Sequence, residues 1–248
     1  MIGKVYRTKN GRYDFIPLVK DKNGFLIDSK GSQISIPFVV FCTNEKVYYL
    51  SVTIFLASYW HSDFLKNYYT DEFNLFIPQG GISNVNDHSV INCESINIMD
   101  RALFEKIYDV KHYKNNHYLD WQYKNKYYLD KEIYYQVIDK LNNNLDNLVY
   151  HEIDHIDFEF KRSVWKPRNT YNKNHINTYE NHKEIIEFVI NCANYLISSS
   201  EVKETYFTDY QFYNFIEEGI ELQLNQSNLE KPVINHDSIY YSIKEHED

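Results

Sequence analysis

Apolar positions in the first hundred residues alternate with polar ones or cluster in short blocks, the period of strands and not of helices. Lys4-Val5-Tyr6-Arg7 and Tyr13–Val19 flank the turn signal Lys9-Asn10-Gly11, which predicts a hairpin. A second turn at Asp21-Lys22-Asn23-Gly24 precedes Phe25-Leu26-Ile27. The blocks 38–41 and 47–53 are rich in β-branched and aromatic residues and predict two further strands, as do 73–77 and 89–98. Several short strands with turns between them predict a small barrel or curled sheet.

Helical period takes over later. Residues 101–110 read as a short helix, and Ile133, Val137 and Leu141 recur every four residues behind Asp130, a residue suited to an N-cap. Ile185, Ile186, Val189, Ile190, Ala193, Leu196 and Ile197 form one apolar stripe over 183–199, and a further helix is expected within 207–224. The polar stretches 142–144 and 166–177 read as connections, with no repeat of solenoid length. The pattern predicts an α+β chain divided into a β-rich domain with a closing helix, residues 1–145, and a mainly helical extension, residues 146–248.

Composition changes this picture in two respects. With 248 residues, 43% apolar residues and only 7 Gly and 5 Pro, the chain is long and apolar enough to bury a core, which excludes a disordered or collagen-like protein. The formal net charge of −9 is unevenly placed: charges balance over residues 1–150, so the acidic excess lies in 151–248. A neutral body can carry a local basic face for nucleic acid, whereas an acidic extension repels phosphate or shields it. Three widely spaced cysteines, Cys42, Cys93 and Cys192, support no disulfide framework and suggest a reducing, cytoplasmic setting. The basic start of the chain lacks an apolar stretch behind it, so no secretory signal is expected. No apolar run approaches the ~20 residues of a membrane-spanning helix.

Asp87–Leu103 reads strand, polar turn and helix start, and this order resembles the late strand and exit turn of MazF/PemK-type endoribonuclease toxins. Ile36-Pro37-Phe38-Val39-Val40-Phe41 is similar to that family's Arg-Pro-leading strand, Tyr49–Thr53 to the next strand, and 130–141 to its closing helix. The resemblance covers roughly residues 1–145, with insertions at 54–85 and 111–129. It implies a small SH3-like, MazF-like β-barrel that cleaves single-stranded RNA without a metal or other cofactor. It also implies a homodimer and an inhibitory protein partner. Such cleavage activates the ribose 2′-hydroxyl against the adjacent phosphate and stabilises the charge that develops there. By the resemblance, Thr53 supplies the hydroxyl. Ile36 stands where the family carries arginine, so the phosphate cation would come from Arg7 or Arg12.

Within the second insertion, Lys111, Lys114, Lys124 and Lys126 interleave with rings that include Trp121 and Tyr123. Cations for phosphates and flat faces for bases are what single-stranded RNA binding uses. Without the family's arginine, the same fold would serve as a noncatalytic module that binds nucleic acid or protein. A third reading comes from His151-Glu152-Ile153-Asp154-His155, which fits H-E-x-x-H. On a helix, two imidazoles one turn apart share a zinc ion while the glutamate activates its water. The run also resembles the metal helix of peptide deformylases, without their Gly-rich loop or their Glu-Gly-Cys-Leu-Ser segment. P-loop, G-x-G-x-x-G and G-x-S-x-G patterns are missing, which removes nucleotide-dependent and serine-hydrolase chemistry from consideration.

Overall fold

In a computed structural model of the chain, the described residues are 1–6, 33–55, 73–77, 88–108, 128–154, 158–161, 164–167, 179–199 and 207–227. Among them run strands β1 (Gln33–Cys42), β2 (Lys46–Phe55), β3 (Asn74–Ile77) and β4 (His88–Asp100), then helices α1 (Arg101–Ile107) and α2 (Lys131–Asn143). Strands β5 (Val149–Ile153), β6 (Phe158–Lys161) and β7 (Val164–Pro167) follow, then helices α3 (Tyr179–Ser198) and α4 (Asp209–Gln226).

β2 lies between β1 and β4, antiparallel to both. The other side of β4 is shared: β3 pairs antiparallel with Ser89–Asn92, and β5 pairs parallel with Ser95–Met99. β6 and β7 form a separate two-stranded ribbon. Beyond β1, residues 3–6 continue the hydrogen bonding. Gly3 and Tyr6 donate their N–H to the carbonyls of Val39 and Pro37, and Leu129 donates to Gly3, each at 2.8–2.9 Å. Gly3 has φ +76, and a Cβ there would run into the ring of Tyr213, so glycine is required twice over. The α+β class expected from the pattern is present. Among the described residues the sheet stays open and does not close into a barrel.

Strand alternation gives the sheet two different faces. On the first, Phe38, Leu50, Val52, Ile91, Ile98 and Tyr150 pack against α2, α3 and α4. Tyr134 of α2 donates its hydroxyl to the Val40 carbonyl at 3.1 Å, and Tyr213 of α4 donates to that of Leu129 at 2.8 Å, so the rings are buried without orphaning their oxygens. On the second face, Val39, Val47, Tyr49, Met99 and Ile153 pack against α1 through Leu103, Phe104 and Ile107.

The expected division between residues 145 and 146 does not separate two cores. β5 completes the main sheet, and Ile186, Val189, Ile190, Leu196, Phe212, Ile216 and Ile220 belong to the same buried cluster as the strands. Each such side chain contributes about 1.5–3 kcal/mol on burial, so together they rival the ~5–15 kcal/mol that holds a typical domain folded. The described part of the acidic extension therefore belongs to the fold's body, with Glu184, Glu218 and Glu221 exposed on helices whose inner sides are core. Among the described residues no helix is long and apolar enough to cross a membrane.

Candidate nucleic-acid interface

Helix α1 covers only part of the second face. Its end of the sheet is apolar, with Val47, Met99 and Ile153 in one cross-strand row and Phe104 packed edge-on or tilted against Tyr6, Tyr49 and Tyr108 at centroid separations of 5.1, 5.6 and 4.4 Å. The next row, Tyr49–Asn97–His151, is mixed. Farther along come Ser51–Asn92–Asn74 and Thr53–Val90–Phe76. The alternation that sends Leu50, Val52, Ile91, Leu75 and Ile77 into the first-face core sends Ser51, Thr53, Asn92, Asn74 and Phe76 to the second. An apolar sheet face thus gives way to uncharged hydrogen-bonding groups.

The change coincides with a break in β4. Between the pairs Tyr49↔Asn97 and Ser51↔Asn92, residues Cys93–Ile96 face the single Leu50 of β2. Asn92 closes this bulge: its Oδ1 accepts from the N–H of Glu94 at 3.0 Å and of Ser95 at 3.1 Å. The last bond to the β3 side, Cys93 N–H to the Phe73 carbonyl at 2.9 Å, is made here, and β5 takes over from Ser95. A bulge that re-aims side chains at an edge is a recurrent device next to binding sites.

Thr53, Asn92, Asn74, Phe76 and His88 are half-buried, while Ser51, Asn97 and His151 are buried at 3%, 0% and 4% exposure. The Phe76 and His88 rings lie side by side, centroids 5.2 Å apart and tilted by 32°. Two adjoining rings beside hydroxyl and amide groups offer a stacking surface with hydrogen-bonding partners for base edges.

Thr53 and His151, singled out for different reasons in the sequence, share this face. They stand on strands two apart and in rows four residues apart along β2, which from strand spacing and rise separates them by roughly 16 Å, too far to act on one atom. Glu152 points to the first face, where Lys46 bridges it at 3.3 Å and Asp100 at 2.8 Å. The H-E-x-x-H run therefore begins on a strand and not on a helix, because parallel pairing with β4 claims 149–153. This corrects the zinc geometry expected for His151 and Glu152, and His155 lies outside the described residues. Among the described residues no group of three His, Cys, Asp or Glu is placed to hold a metal. Arg7, Arg12, Lys111, Lys114, Trp121, Tyr123, Lys124 and Lys126 also lie outside the described residues. Ile36 packs toward the first-face core, on the opposite side of the sheet from Thr53.

A second concavity, of ≈ 310 Å³, opens between the β1–β2 turn and α4, lined by Cys42, Glu45, Arg101, Glu217 and Glu221 among others. Its charged groups are largely committed. Arg101 donates from Nε to Glu105 at 3.0 Å and from Nη1 to the Thr43 carbonyl at 3.2 Å. Glu217 takes the Met1 ammonium at 2.6 Å and the Cys42 thiol at 3.5 Å. Burial first, then the Glu217 carboxylate, pushes the Cys42 thiol up to about 12, so it is no thiolate nucleophile at neutral pH.

Sequence reasoning missed Ser51, Asn74, Phe76, His88 and Asn92. Their alternation with core residues was visible, but which face each strand turns outward is settled only by pairing. No protein-family model, no curated protein and no solved structure matches the chain.

Proposed function

We propose that the second face of the sheet binds single-stranded RNA. The observation that supports this most directly is the Phe76–His88 ring pair set beside Thr53, Asn92 and Asn74 on the uncharged, hydrogen-bonding half of a sheet face whose other half is apolar. Bases stack on such rings regardless of sequence, and amides and hydroxyls then reach their edges. The basic and aromatic segment 111–126 would add phosphate contacts through Lys111, Lys114, Lys124 and Lys126. The reading takes along the small barrel of the MazF-like resemblance. It also takes along a cytoplasmic setting, in line with free Cys42, Cys93 and Cys192. It needs no cofactor.

Binding without cleavage is favoured over the toxin-type endoribonuclease reading by the position of Ile36. A guanidinium there would project to the face opposite Thr53, so the family's arrangement of cation and hydroxyl is not reproduced by these two positions. Cleavage would need Arg7 or Arg12 brought to Thr53. Incubating the protein with end-labelled single-stranded RNA in EDTA separates the readings. The expected result is saturable binding of intact RNA, weakened about tenfold or more in Phe76→Ala, given ~1–3 kcal/mol for one stacked base. Cyclic-phosphate products that vanish in Thr53→Ala or Arg12→Ala would establish the nuclease instead. Absence of any RNA binding would end both readings.

A further inference from the structure

Resting on the RNA-binding reading, we propose that Asn92, backed by Ser51, reads the edge of one base in the bound strand. Asn92 is held by its own turn. Because its Oδ1 already accepts two backbone N–H groups, the side chain cannot flip without losing both bonds, and its amide NH2 is turned away from the bulge with two donors to offer. Directly across the ladder stands Ser51, 3% exposed, whose hydroxyl has no hydrogen-bond partner among the described residues. A buried hydroxyl without a partner is an expense a fold avoids unless something arrives to satisfy it. Cross-strand neighbours in an antiparallel pair have their Cβ atoms roughly 5 Å apart, so one planar ring edge can meet both groups. Two fixed amide donors favour a base edge made of acceptors, such as the carbonyls of uracil or the O6/N7 edge of guanine, over an edge that presents an exocyclic amine. The Phe76–His88 pair, one row away, would carry the neighbouring stack.

The chemistry allows a test that separates recognition from scaffolding. In Asn92→Asp a carboxylate oxygen still accepts from Glu94 and Ser95, so the bulge survives, while both outward donors are lost. Ser51→Ala removes the unpartnered hydroxyl and leaves the packing. Affinity for single-stranded oligoribonucleotides of each base and thermal midpoint are measured for wild type, both variants and Phe76→Ala. The expected result is about tenfold weaker binding in Asn92→Asp with the thermal midpoint kept, and a loss of preference among bases. Ser51→Ala is expected to bind several-fold more weakly while melting no lower than wild type. The Asn92→Asp deficit should persist at high salt, since a mere effect of added negative charge is screened away there. Wild-type binding with an Asn92→Asp deficit that disappears at high salt, or with both variants binding like wild type, overturns this assignment and leaves the RNA reading standing. No binding by wild type overturns the RNA reading itself.

Discussion

Cys42, Cys93 and Cys192 show how much of a residue's chemistry is decided by what surrounds it. Burial is the main reason each thiol is pushed up to about 12 from an ordinary 9.0, with Glu217 adding to the effect at Cys42. The consequence for stability has a definite sign. Below pH 9 the thiols are protonated in both the folded and unfolded chain, and their contribution is complete. Between pH 9 and about 12 the unfolded chain ionises and the folded one does not, so stability falls by about 1.4 kcal/mol per pH unit for each thiol. Urea midpoints measured from pH 7 to 11 should therefore be flat to about 9 and then decline, and the decline should lessen in Cys93→Ala relative to its own plateau. A midpoint unchanged up to pH 11 would show that the thiols are not held protonated. That these thiols are inert was legible in the sequence for all three, each read as lying in apolar surroundings. Cys42's partner was not, because Glu217 is 175 positions away.

Among the elements, α4 and β4 mark the two ends of legibility. Thr208 stands three residues before Gln211 ahead of an apolar pattern, the signature of a capping box. Both halves form: the Thr208 hydroxyl accepts from Gln211 N–H at 3.4 Å and Gln211 Oε1 accepts from Thr208 N–H at 3.1 Å. Thr208→Ala should cost about 1 kcal/mol in chemical denaturation and leave RNA binding unchanged, since α4 packs on the other face of the sheet. A loss near zero would show that water caps the helix equally well. β4 was legible as a strand, but its bulge was not. Asn92 is an ordinary polar residue until β2 on one side and the change from β3 to β5 on the other leave Cys93–Ile96 with only Leu50 opposite. The strand at 149–153 was read as a motif and a boundary because its pairing partner lies some fifty residues earlier.

At the scale of the whole molecule, one core joins residues that differ most in charge. The neutral front and the acidic rear meet along the first face of the sheet, where Tyr134 and Tyr213 pack edge-on with centroids 5.3 Å apart. A chain ending after residue 145 should therefore fail to fold, giving collapsed NMR amide dispersion and binding of a hydrophobic dye where the full chain shows neither. A well-dispersed spectrum from that truncation would restore a division into two domains. The same architecture explains why the described acidic residues of α3 and α4 need not oppose RNA. α3 and α4 pack on the first face, and the proposed strand lies on the second.

What the sequence determined alone was local: short strands where β-branched and aromatic residues cluster, helices where apolar residues recur every three or four positions, and the α+β class that follows from their order. Those signals are carried by neighbours along the chain, and no partner is needed to read them. Tertiary structure decided the rest. It chose the face on which Thr53 and Ile36 emerge, turned His151 and Glu152 to opposite sides of a strand, and set Asn92 beside Ser51. Each of these depends on register between segments dozens of residues apart, and a shift of one residue would exchange the two faces of the sheet.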